Sequence, residues 1–255
     1  MLRSLIAFTT AMLIDAVAFG ASYRVVPTFV GGPRLGERSL LEFQLFRGRS
    51  DVPLTSADLQ LEHEKRIHLF TLDSGFQEYR HEHPEEVRAG VWQVPFTVSI
   101  AGAYRFWIQI LPVGETSTKT LKFDQDILHF PGEVVPDEPV SSAVALTWTD
   151  GSYEVTLSFP AGEPVQHTMA PLRFVVKKDG VEVPQSELDP YLGAKMHIVA
   201  VSATRDDFVH IHPHAEGDVM AHFMEAGFYG LFMQFSHEGV LHTTHFGAKV
   251  NPHNG

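Results

Sequence analysis

Short runs in which every second position is apolar, separated by glycine, proline and acidic clusters, make up most of this chain. Such alternation suits a strand with one face buried, and β-branched and aromatic residues fill it here. YRVVPTFV (Tyr23–Val30), LLEFQLF (Leu40–Phe46), IHLFTL (Ile67–Leu72), VWQVPFTV (Val91–Val98), YRFWIQI (Tyr104–Ile110) and KTLKFDQDI (Lys119–Ile127) are predicted strands, and no segment holds a helical period. Short strands at regular spacing predict an all-β product of the immunoglobulin-like sandwich type.

The pattern then repeats. HLFTLDSGFQEYRHEHP (His68–Pro84) aligns without a gap on HIVAVSATRDDFVHIHP (His197–Pro213), keeping three histidines and the final proline while every other residue changes. LLEFQLFRGRSDVP (Leu40–Pro53) aligns on PLRFVVKKDGVEVP (Pro171–Pro184), and AGAYRFWIQI (Ala101–Ile110) on AGFYGLFMQF (Ala226–Phe235). The chain therefore reads as two tandem immunoglobulin-like β-sandwich modules, residues 22–128 and 143–251, each large enough to bury its own core. The proline- and acid-rich stretch 129–142 reads as a stiff linker. Each Ala-Gly-x-Tyr element is placed where such folds use a tyrosine corner.

Residues 1–20 have the form of a signal peptide: Arg3, an apolar run from Leu5 to Leu13, and Ala16-Val17-Ala18 as a small-x-small cleavage site. The run is too short to span a bilayer, so the expected product is periplasmic or secreted, with no membrane insertion after signal removal. The net charge of −12 argues against nucleic acid or anionic membrane as partners and suits a cationic ligand. Fifteen histidines stand against no cysteine, which excludes thiolate metal sites and disulfides.

Each conserved-in-repeat stretch predicts a β-hairpin with His-x-His on its second strand. Residues two apart on a strand lie about 6.6 Å apart on one face, so their rings can converge on one ion. A hairpin returns His210 and His212 beside His197, and His81 and His83 beside His68, giving one candidate metal triad per module. Met196, Met169, His242 and His245 are the candidates for a fourth ligand in the second module, where Met220, His222 and Met224 also follow the hairpin. His214, His237 and His253 read as solvated. Imidazole and thioether without thiolate suit copper first and zinc second. The competing structural reading makes the histidines hydrogen-bonded residues at a core edge and the methionines core filler.

DPYLGAKMHIVAVSATRDDFVHIHP (Asp189–Pro213) resembles YtkA-like and related heavy-metal-associated periplasmic domains, in which a Tyr-Leu-Gly-Ala-x-x-His segment leads into a strand and His-x-His-Pro follows. The resemblance covers the second module; the first has LQLEHEKRIH (Leu59–His68) in place of that lead, and Met196 stands where the family's usual glycine precedes the first histidine. It implies an immunoglobulin-like sandwich and metal binding rather than catalysis. The expected function is copper handling in the cell envelope, with a metal-delivering or metal-accepting envelope protein as partner. Two alternatives are a non-metal scaffold or adhesion module, and a copper redox enzyme, since FVHIHP also looks like the His-x-His strand of copper-zinc superoxide dismutases. A dismutase needs a structural disulfide, which this chain cannot form.

Overall fold

The computed structural model describes residues 22–33, 35–127, 146–211 and 219–253. The predicted signal peptide, the whole of the predicted linker, and His212 with Pro213 lie outside the described residues. Among the described residues the chain is all-β, with single 3-10 turns at Ser56–Asp58 and Gln185–Glu187, and it divides into two compact units.

In the first module, β1 (Tyr23–Val30), β2 (Ser39–Arg47), β5 (Glu85–Arg88) and β6 (Val91–Phe96) form one antiparallel sheet in the order β1-β2-β6-β5. The second sheet contains β3 (Ile67–Asp73), β4 (Tyr79–Glu82), β7 (Gly102–Ile110) and β8 (Lys119–Ile127) in the order β4-β3-β7-β8. These two orders are those of an immunoglobulin-like sandwich with an added strand beside the third. Leu41, Phe43, Leu45, Trp92 and Val94 from one sheet meet Ile67, Leu69, Phe106, Ile108 and Phe123 from the other.

The second module repeats the plan. Strands β9 (Thr147–Asp150), β10 (Tyr153–Ser158), β11 (Met169–Lys178) and β12 (Val181–Val183) make one sheet, and β15 (Val219–His222) adds to β11. The other holds β13 (Met196–Ser202), β14 (Phe208–Ile211), β16 (Gly227–His237) and β17 (Val240–Val250) in the order β14-β13-β16-β17. Its core joins Val155, Leu157, Leu172 and Ala221 to Ile198, Ala200, Leu231, Met233 and Phe246.

The tyrosine corner is present in both modules. The buried Tyr104 hydroxyl lies 2.7 Å from the Ile100 carbonyl and 2.8 Å from the Glu78 carboxylate. The Tyr229 hydroxyl accepts the Glu225 N–H at 3.0 Å and donates to the Asp207 carboxylate. Burial, then the neighbouring carboxylate, pushes both phenols above their usual range, so they stay neutral and pin the loop entering β7 or β16.

Candidate metal centre

The predicted hairpins form with one register. Phe70 stands opposite His81 and Leu69 opposite Glu82 across β3 and β4, while Val199 stands opposite His210 and Ile198 opposite Ile211 across β13 and β14. Period two then puts His68, Phe70, His81 and His83 on one face, and His197, Val199 and His210 on the matching face of the second module. That is the face turned away from the sandwich core, because Ile67 and Leu69, like Ile198 and Ala200, occupy the core side. The histidines thus share their face with apolar residues without meeting the sandwich core. His68, Phe70 and His81 are nonetheless buried, and His83 is half-buried.

In the first module all three histidines come together. One ring nitrogen from each of His68, His81 and His83 lies within 4.8 Å of the other two. His68 Nδ1 is 3.1 Å from His81 Nε2, close to the separation of about 3.3 Å that two ligands hold around a tetrahedral ion at bond lengths near 2 Å. The ring centroids are 4.6 to 5.3 Å apart. Modest ring rotations would bring three nitrogens onto one ion and leave a fourth position open.

Two neighbours fix the rings. His68 Nε2 lies 3.0 Å from the Glu62 carbonyl, which as a pure acceptor requires the proton on Nε2 and leaves the Nδ1 lone pair for a metal. Phe70 stacks on His81 at 4.3 Å with 19° between the planes. Burial lowers the His68 pKa below the usual imidazole range, against the Glu62 carbonyl and charge, which raise it. The ligand is therefore held neutral, the form that coordinates metal. Glu82, between His81 and His83, points to the other face of the strand; burial raises its carboxyl to about 7, opposed by Arg80 and reinforced by Glu78.

The carbonyl partner comes from a tight turn that both modules share. Glu62 pairs with Lys65, and Tyr191 with Ala194, each closing a two-residue loop. The loop residues all have positive φ: His63 and Glu64 at 46° and 68°, Leu192 and Gly193 at 51° and 76°. This is the geometry of a type I′ turn. His197 Nε2 contacts the Tyr191 carbonyl at 2.9 Å, as His68 Nε2 contacts that of Glu62. The Tyr-Leu-Gly-Ala lead of the second module and the Glu-His-Glu-Lys of the first thus build one device, and sequence reasoning passed over the second because nothing in its letters suggests a turn carbonyl. A left-handed Glu64 carries a steric cost that glycine escapes. Glu64→Gly is expected to stabilise the first module by about 1 kcal/mol and to leave its metal affinity unchanged, as checked by denaturant melts and titration.

In the second module, His197 and His210 face each other with ring centroids 6.1 Å apart, and His212 lies outside the described residues. The expected additional ligands do not gather there. Met196 is next to His197 in sequence and so points the other way, into the core. His242 also faces the core side, packed on Tyr153 and Phe235 at 4.2 and 4.9 Å. His245 is on the histidine face but stacks on Phe232, in the row His210, Val199, Phe232, His245, three strand spacings or about 14 Å from His210. Met169 belongs to the other sheet and faces outward there, 56% exposed.

A domain family described as "Domain of unknown function (DUF8832)" matches residues 21–126 and again 147–252, the two sandwiches just described. This chain belongs to that family. It is a tandem duplicate of the DUF8832 domain, with the two copies sharing the histidine hairpin and its turn. No curated protein matches the chain. Two crystal structures of Salmonella alpha-2-macroglobulin are similar, one reacted with methylamine and one a tyrosine-to-glycine mutant, at 12% and 11% identity and TM-scores of 0.24 and 0.26. The matches cover 93% and 98% of this chain, which spans 16% of the length of those proteins.

Proposed function

We propose that this DUF8832 chain is an exported metal-binding protein whose first module holds one divalent ion, copper before zinc, on His68, His81 and His83. The supporting observation is the pairing of three convergent ring nitrogens with a carbonyl that sets the tautomer of His68. Neutral imidazoles rank Cu(II) above Zn(II), and a three-nitrogen set lacks the carboxylates that magnesium or calcium would need. With no thiolate, and no second group of three or more His, Asp or Glu ligands among the described residues, holding and passing on an ion accounts for the site better than redox turnover.

The resemblance of Asp189–Pro213 to YtkA-like domains supports the same reading for the second module, and the leader-like residues 1–20 support a role in the cell envelope. Its partner would then be a protein that delivers or accepts the ion. A competition titration of the full, tag-free chain with Cu(II) and Zn(II) tests this. Binding of both, with Cu(II) tighter, is the expected result; the absence of binding by either would return the histidines to a structural role and favour the envelope scaffold.

A further inference from the structure

The chain has seven methionines. Met1 and Met12 lie outside the described residues, and Met196 and Met233 are buried in the second core. The other three, Met169, Met220 and Met224, are 56%, 46% and 49% exposed. Met169 and Met220 belong to one ladder, and Met224 follows the end of its β15 strand by two residues. Met169 on β11 stands directly opposite His222 on β15, and Pro171 opposite Met220. Met220, His222 and Met224 alternate with the buried Val219, Ala221 and Phe223, so they project from the outer side of that sheet. His167, also exposed, precedes Met169 by two residues, and its N–H donates to the Phe223 carbonyl at 2.7 Å, which keeps it beside the end of this stretch.

Met220-x-His222-x-Met224 therefore runs beside His167-x-Met169, with Met169 and His222 directly paired and the His167 N–H bond to Phe223 holding the ends together. Directly opposed residues have Cβ atoms about 5 Å apart and neighbours along a strand about 6.6 Å apart. Methionine, unbranched and with three rotatable bonds, can close such gaps around an ion. The fold does not call for these residues. Superposing the modules through the pairs Leu40 opposite Pro95 and Pro171 opposite Met220 puts Arg38, Pro95, Thr97 and Ser99 where the second module has Met169, Met220, His222 and Met224. The first module contains no methionine at all.

We propose that Met169, Met220, His222 and Met224, with His167 at the rim, form a separate site for Cu(I) on the outer face of the β11–β15 ladder. It lies on the opposite side of the second sandwich from His197 and His210, because the two sets occupy the outer faces of its two sheets. Uncharged thioethers favour a soft monovalent ion and discriminate against Zn(II), and an open strand face lets the ion exchange with a partner's ligands. The site is independent of the histidine triad of the first module.

The test is an anaerobic titration of the full chain with Cu(I) against a chromophoric Cu(I) chelator, together with NMR of protein labelled at the methionine methyl groups. Substituting Met169→Leu, Met220→Leu and Met224→Leu together changes only exposed side chains. The triple variant is expected to lose roughly 100-fold in Cu(I) affinity at one site while taking up Zn(II) as the unaltered chain does. In the unaltered chain, Cu(I) should move the methyl signals of Met169, Met220 and Met224 and leave those of Met196 and Met233 in place. Unchanged Cu(I) binding in the triple variant, or still methyl signals at these three positions, would overturn the proposal. Substituting His68, His81 and His83 instead should leave the methyl response intact.

Discussion

His81→Ala is expected to lower the affinity of the first module for Cu(II) by more than about 100-fold, since loss of a direct ligand exceeds the 10- to 100-fold effect of losing an outer-shell partner. The geometry gives the reason. His81 Nε2 lies 3.1 Å from His68 Nδ1, and Phe70 stacks on its ring in that orientation. Removing it leaves two nitrogens and an empty space beside Phe70. His210→Ala, at the matching position of the second module, should leave this affinity alone. A competition titration on the three chains distinguishes the modules, and His81→Ala with unaltered affinity would mean that the ring is a packing element.

The second large effect is of pH. Each imidazole that is charged in the metal-free protein must lose a proton before it can coordinate, so a three-histidine site can lose up to about three powers of ten in affinity per pH unit. His68 resists protonation, because burial holds its pKa below the usual range. Its contribution to the slope therefore begins only at lower pH, and the dependence should steepen as the medium becomes more acid. The same depression links His68 to stability. The unfolded chain takes up a proton near pH 6.5, which folded His68 declines, so stability is retained above that pH and falls as pH drops from there towards the folded pKa. Competition titrations between pH 5 and 7.5 measure the slope, and an affinity flat across this range would be incompatible with histidine ligation.

The strands, the duplication and the histidine hairpins were legible because alternation fixes which residues share a face. Which face meets the core was not. Every residue of β3 and of β13 is buried, so the apolar run IHLFTL or HIVAVS carries no polar side to mark the outside. The assignment of Met196, Met169, His242 and His245 to His197 failed for related reasons. Adjacent residues on a strand point apart, which removes Met196, and sheet membership, which no local pattern encodes, removes Met169. The ladder that sets Met169 against His222 depends on pairing between segments far apart in sequence. The turn carbonyls were hidden for a different reason. In the second module Leu-Gly hints at a turn, but in the first the left-handed positions are filled by His63 and Glu64, which local sequence preference disfavours.

An ion held by His68, His81 and His83 would leave a stoichiometric trace. The most direct measurement is the metal content of the full, tag-free chain after loading with Cu(II) and exhaustive dialysis, beside a variant with all three histidines replaced by alanine. One bound equivalent fewer in the variant, accompanied by loss of the imidazole nitrogen couplings from the electron paramagnetic resonance spectrum of that equivalent, is the predicted result. Equal copper content and identical spectra in the two chains would contradict it.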